Sequence, residues 1–310
     1  MFTLNYVCRR LVNTVWILTL TLFSCIPALA AHSGKNGRIA FLQNLTGTNQ
    51  IYTVNPNGTD LFQVTNFPPS DDVFALWPDV SPDGKSILFS HDMTGAMELY
   101  VINADGTGLT QITHDGLPHI VPHWSPDGTH IVFNTFNEFG GEIATVRADG
   151  TDMKVLSSPV WDSLGAMYTG DGKHIVFSTT TGGYVAALWI MDTNGKHQRR
   201  LTAPELEAGA PDVSADGKNQ VAFYNHQNTA LPTSCVFKMN LDGTGVRCLT
   251  GMSHVNTLPV FSPDGTKILY MSDRLSPGSF DTFVMDADGS HKKRVIPGGL
   301  FPNWGTQPEH

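Results

Sequence analysis

Apolar residues arrive along this chain in short runs at a long, regular spacing. The runs Ile87-Leu88-Phe89, Ile131-Val132-Phe133, Ile175-Val176-Phe177, Val221-Ala222-Phe223 and Ile268-Leu269-Tyr270 each follow a Ser-Pro-Asp-Gly-like tetrad that begins at residue 81, 125, 169, 214 or 262. The steps between tetrads are 44, 44, 45 and 48 residues. An earlier run, Arg38-Ile39-Ala40-Phe41, lacks the tetrad. Near-continuous apolar runs of this length predict strands covered on both sheet faces. After each run comes a second apolar strand such as Glu98–Ile102, then an Asp-Gly or Asn-Gly pair, then a segment ending near Leu-Thr. The pairs are Asn57-Gly58, Asp105-Gly106, Asp149-Gly150, Asn194-Gly195, Asp242-Gly243 and Asp288-Gly289. Such pairs favour hairpins, while Pro and Gly at the second and fourth places of the tetrad suit a tight turn. With a brief leading strand such as Pro78–Val80, each unit holds four antiparallel strands, and repeats of this length signal propeller blades.

Six hairpin pairs but only five leading strands are present before residue 297, because the first unit begins abruptly at Gly37-Arg38-Ile39. The missing strand is expected at the other end, where Pro302 and Trp304 stand as Pro122 and Trp124 do before Ser125. The prediction is an all-β fold over residues 37–307: a six-bladed β-propeller of four-stranded antiparallel blades, closed by the C-terminal strand completing the first blade. Closure also removes exposed sheet edges.

Residues 1–30 read as a signal peptide and 31–36 as a short N-terminal segment. Arg9 and Arg10 precede the apolar run 11–22, and Ala28-Leu29-Ala30 offers a cleavage site after Ala30. Leu22-Phe23-Ser24-Cys25 resembles a lipoprotein box, the alternative processing site. A periplasmic or secreted protein is expected, peripheral to the membrane at most and monomeric. Removing the leader takes away two of 19 Lys and Arg and none of 28 Asp and Glu, leaving a net charge of −11. That balance excludes nucleic acid as a partner, since phosphate backbones require clustered cations. The densest cationic stretch, His291-Lys292-Lys293-Arg294, falls where an outer strand should lie and defends that edge. Cys235 and Cys248 flank the Asp242-Gly243 turn almost symmetrically, so a disulfide between opposed strands is expected in an oxidising compartment.

His123-Trp124-Ser125-Pro126-Asp127-Gly128 and Val260-Phe261-Ser262-Pro263-Asp264-Gly265, with the later Asp-Gly and Leu-Thr, resemble the repeat of the TolB-like (PD40, WD40-like) β-propeller family. The likeness covers nearly all of the chain beyond the leader and implies a propeller-only relative without the N-terminal α/β domain of TolB itself.

The connections entering each innermost strand help line a channel mouth, where propellers usually bind. Aligned six residues before each tetrad stand Ala75, His119, Ser163, Ala208 and Asn256, with Gly299 by the C-terminal match. Two residues before it stand Asp79, His123, Met167, Asp212, Val260 and Asn303. The binding candidates are Trp77, Asp79, His119, His123, Asp212, His254, Asn256 and Phe301, with Phe74 beside them. Trp77, Phe74 and Phe301 offer stacking faces for a sugar or a peptide. No catalytic residue is assigned, for Gly-x-Ser-x-Gly and His-Glu-x-x-His are both absent from the sequence. The expected function is therefore recognition without catalysis and without a cofactor, with a protein, a peptide or an envelope polysaccharide as partner. The alternative is a metal-dependent carbohydrate-active enzyme resembling oligogalacturonate lyases, with His119, His123 and His254 around a divalent metal in the central channel.

Overall fold

The computed structural model describes residues 34–68, 75–138, 140–156, 162–181, 184–225 and 233–308. The proposed leader, its Cys25 alternative and Phe74 lie outside the described residues. Six separate four-stranded antiparallel sheets are present, and the innermost strand of each packs against those of its two neighbours, so the sheets close into one ring. Blade 2 comprises Ala75–Val80, Ser86–His91, Glu98–Asn103 and Thr110–Gln111 in chain order from axis to rim. Blades 3 to 6 repeat that order with inner strands His119–Trp124, Asp162–Tyr168, Ala208–Val213 and Asn256–Phe261. Blade 1 draws on both ends of the chain: Leu300–Thr306 is its inner strand, pairs with Asn36–Gln43 and places Trp304 opposite Ile39. The expected six blades and C-terminal latch are both present.

Each element of the repeat has a mechanical reason. Phe41, Phe89, Phe133, Phe177, Phe223 and Tyr270, one from the second strand of each blade, are buried between sheets. In the tetrad, Ser81 Oγ donates to Asp83 Oδ1 (2.6 Å), which also accepts Lys85 N (3.0 Å), and Ser125, Thr169 and Ser262 repeat the bond to Asp127, Asp171 and Asp264. These are side-chain-capped turns. The Leu-Thr ending is explained by the Thr hydroxyl, which accepts a third-strand amide as the outer strand leaves the ladder. Thr65 serves Ile51 (2.8 Å), Thr113 Leu99 (2.9 Å), Thr202 Leu188 (2.9 Å) and Thr250 Val236 (3.0 Å).

Two features differ from the sequence reading. The inner strands are six or seven residues long rather than brief, because each carries a β-bulge that breaks the alternation by which a strand is recognised. At each bulge one residue has positive φ: Trp77, Val121, Gly165, Ala210, Leu258 and Phe301, with φ between 46° and 60°. Pro follows it in every blade but the fourth, where no ladder amide is needed. Positive φ at bulky residues is uncommon, yet its sixfold recurrence here makes it a property of the ring rather than of one blade. Second, Cys235 and Cys248 are bonded, with Cα atoms 5.9 Å apart, but the ladder pairs Cys248 with Phe237. The hairpin is centred one residue later than the midpoint of the cysteines, so the bridge runs diagonally between the strands.

Antiparallel strands put every tetrad and every Asp-Gly turn at one end of the ring, the turn face. The links from second to third strands and from outer to next inner strands lie at the other end, the connection face.

Candidate functional site: the axial ring and the connection face

The sequence-chosen residues fall into three settings. Asp79, His123, Met167, Asp212, Val260 and Asn303 form a ring of inner-strand positions, all of them buried. Their side chains tie one blade to the next. Asn303 Oδ1 accepts Val80 N (2.9 Å), Asp79 Oδ2 accepts Trp124 N (2.8 Å), Met167 Sδ accepts Val213 N (3.0 Å) and Asp212 Oδ2 accepts Phe261 N (2.6 Å). Asn303 Nδ2 also donates to Asp79 Oδ1 (2.7 Å), and His123 Nδ1 lies 3.6 Å from that same oxygen. Burial and then the negative charge of Asp79, three blades away, hold the Asp212 carboxyl well above the usual carboxylate range, against the opposing bond from Phe261 N. A carboxyl so placed favours its protonated form. Asp79, His123 and Asp212 thus sit inside the wall of the ring, not on an open mouth.

His119 and Asn256 occupy the second setting, the buried starts of inner strands. His119 Nε2 is 2.9 Å from Asp115 Oδ1 and 3.9 Å from Glu98 Oε2, and its ring edge meets Phe133. Glu98, Asp115 and His119 are the one trio of possible metal ligands among the described residues, their donor atoms within 4.8 Å of one another. His123 and His254 do not join His119 there. Sequence reasoning passed over Glu98 and Asp115. The signal lay in the repeat itself, since Glu98 begins its third strand where Gln50 begins that of blade 1. Gln50 Oε1 accepts Thr65 Oγ1 (2.8 Å) and Phe67 N (3.0 Å), and Glu98 accepts Thr113 Oγ1 (2.5 Å) and Gly116 N (2.7 Å). Asn256 Nδ2 donates to Ser234 O (2.9 Å) and His254 O (3.1 Å) and so fixes the connection beside the disulfide. His254, half-buried, contributes its carbonyl, which also accepts Ser234 N (3.0 Å).

Trp77 and Phe301 make the third setting. Both are bulge residues near the connection-face ends of the inner strands of blades 2 and 1, and their rings meet edge to face at 6.0 Å. Both are half-buried, whereas the bulge residues Val121, Ala210 and Leu258 are fully buried. The pair is therefore an aromatic step at the axial mouth. Also overlooked was His91, fully buried against Phe67 with ring centroids 4.2 Å apart, its two nitrogens without hydrogen-bond partners. Burial pushes its pKa down to about 4. A cavity of about 520 Å³ opens elsewhere, on the turn face, lined by Lys218, Lys238, Lys267, Asp286 and Asp288 among others.

A closed ring of six four-stranded blades with side-chain-capped turns defines a β-propeller of the repeat type. The TolB beta propeller domain, PD40, matches residues 13–211, and the chain belongs to that family. No curated protein matches the chain significantly. Among solved structures it is similar in fold to TolB from Acinetobacter baumannii, with 23% identity and a TM-score of 0.72, over 87% of this chain and 67% of that one. A putative TolB from Agrobacterium tumefaciens shares 19% identity with a TM-score of 0.63, over 86% and 91% of the two chains. An oligogalacturonate lyase in complex with manganese shares 16% identity with a TM-score of 0.55, over 85% and 74%.

Proposed function

We propose that this protein is an exported, non-enzymatic recognition propeller that binds a protein segment on its connection face, around the Trp77–Phe301 step. The observation that carries the reading is that half-buried, partly accessible aromatic pair, set in an axial region whose other bulge residues are buried. Aromatic groups with one face wet are common anchors in protein interfaces. Membership of the TolB propeller family supports a protein partner. The Cys235–Cys248 bridge and the leader-like residues 1–30 support an oxidising compartment. The test is photo-crosslinking in the producing cell, with a benzophenone amino acid at exposed Leu117 on the connection face or at Met153 on the turn face. A discrete adduct from position 117, weakened by Trp77→Ala, is expected. Adducts from neither position would refute the reading.

The Glu98–Asp115–His119 trio favours a second reading, a metal-dependent enzyme acting on carbohydrate. Those three side chains would hold a divalent cation, which would supply Lewis acidity. The same two bonds made by neutral Gln50 in blade 1 favour the recognition reading instead. Metal analysis of the purified protein separates the two: stoichiometric metal lost on His119→Ala would select the enzyme.

A further inference from the structure

The charges of the molecule are sorted between its two ends. Among the described residues, the links that make up the connection face contain six Asp and Glu: residues 92, 115, 138, 205, 207 and 273. They contain one cation, Arg274, which lies over the Phe283 ring at 5.5 Å. All other Lys and Arg beyond the leader stand in the turns or on strands, apart from Lys35 just before the first strand. Toward the turn face carboxylates meet cations: Asp60 with Arg38, Asp152 with Lys154, Asp216 with Lys218 and Asp286 with Lys267. Apolar side chains are interspersed with the acids. Leu45, Met93, Leu117, Met252 and Leu275 are exposed by 37% to 59% along connections of the contiguous blades 5, 6, 1 and 2.

We infer that the connection face takes a lysine- or arginine-rich protein segment that also carries apolar side chains. This rests on the recognition reading above and names the chemistry of its partner. Complementary charge steers encounter and sets specificity, while the aromatic step and the apolar arc supply the desolvated anchors. A string of cations suits this face better than a single ion, because its acids are spread over several blades. Only Glu98, Asp115 and His119 come within ligand spacing of one another among the described residues. Nucleic acid is repelled by the same field.

The test uses two variants of the exported protein with equal net charge. In one, Asp92→Asn, Asp115→Asn, Glu138→Gln, Glu205→Gln and Glu207→Gln neutralise the connection face. In the other, Asp105→Asn, Asp149→Asn, Asp152→Asn, Asp242→Asn and Asp288→Asn neutralise the turn face, where Asn57 and Asn194 already serve two of the hairpin turns. The probes are a short fluorescent peptide of lysines with two tryptophans, the same peptide with glutamate for lysine, and one with serine for tryptophan. Anisotropy at low salt and at about 150 mM, where screening shortens to about 8 Å, gives the Kd. The lysine–tryptophan peptide should bind the unaltered protein, lose about tenfold or more against the connection-face variant, and change by less than about twofold against the turn-face variant. Leu117→Ser with Met93→Ser, at exposed positions, should weaken it again without changing charge. Equal loss in both charge variants, preference for the glutamate peptide, or no binding to the unaltered protein would each overturn the inference. An adduct at position 117 would still stand for recognition by other chemistry in those cases.

Discussion

The two ends of this propeller are built from the same strands yet spend their polar residues differently. On the turn face, acids recur because each backbone reversal needs one. Asp105, Asp149 and Asp242 are held below the usual carboxylate range by the hydroxyl, and then the amide, of the Thr two residues on. Asp286, bonded first by Lys267 and then by His291, lies at about 2. On the connection face no position recurs in every blade, and there the half-buried aromatics, the Glu98–Asp115–His119 trio and an excess of acids over cations are found. Repetition in this fold marks what the architecture requires, and departure from the repeat marks where recognition can be placed.

Breaking the ring that holds the two faces apart should have the largest effect. Trp304→Ala removes the buried latch residue paired with Ile39 and should cost about 3–5 kcal/mol in urea unfolding. A loss under about 1 kcal/mol would mean that the latch does not close the ring. Removing the disulfide, by Cys235→Ser with Cys248→Ser, frees a link of 13 residues and should cost about 3 kcal/mol. Proteolysis should then begin in the connections of blade 5 rather than in its turns.

Acidification should act through His91 in the second strand of blade 2. Its folded pKa of about 4 lies below the ordinary 6.5, so the unfolded chain binds the extra proton. Stability should fall by up to about 3 kcal/mol as pH drops from about 6.5 to about 4. His91→Leu should flatten that part of the profile, and an unchanged slope would assign it to other groups. Asp212 works in the opposite direction, since its raised folded pKa makes its contribution fade as pH rises through that value. Asp212→Asn should remove this decline.

A smaller difference sharpens the comparison between the faces. Thr113→Val strands the Leu99 amide and a Glu98 oxygen in a buried place and should cost about 1–3 kcal/mol. Asp105→Ala, in an exposed turn of the same blade, should cost about 1 kcal/mol or less. If the turn substitution proved the costlier, the buried Thr113 bonds would not be the stronger fastening of this blade.

The blade count, the second strands, the hairpin turns and the C-terminal latch were legible in the sequence because each is written in a continuous apolar run or in turn and strand residues that recur from blade to blade. The inner strands were harder to read, since the bulge at Trp77-Pro78 and its five counterparts shifts the alternation halfway along. Asp79, His123 and Asp212 stood out as unusual residues at aligned positions, and burial with inter-blade bonding is what the alignment could not convey. The pairing of Glu98 with His119 joins the third strand of one blade to the inner strand of the next, a contact that only the packing of neighbouring blades brings about. Trp77 and Phe301 were found as aromatics placed near the channel mouth, but their contact depends on blades 1 and 2 meeting through the latch.

The most direct test is hydrogen–deuterium exchange of the exported protein with and without the lysine–tryptophan peptide. The account expects slowed exchange confined to the connections, chiefly residues 92–97, 114–118, 251–255 and 273–280, with the tetrads and Asp-Gly turns unchanged. Protection concentrated in the turns, or no protection at all under saturating peptide, would contradict the division of labour between the two faces.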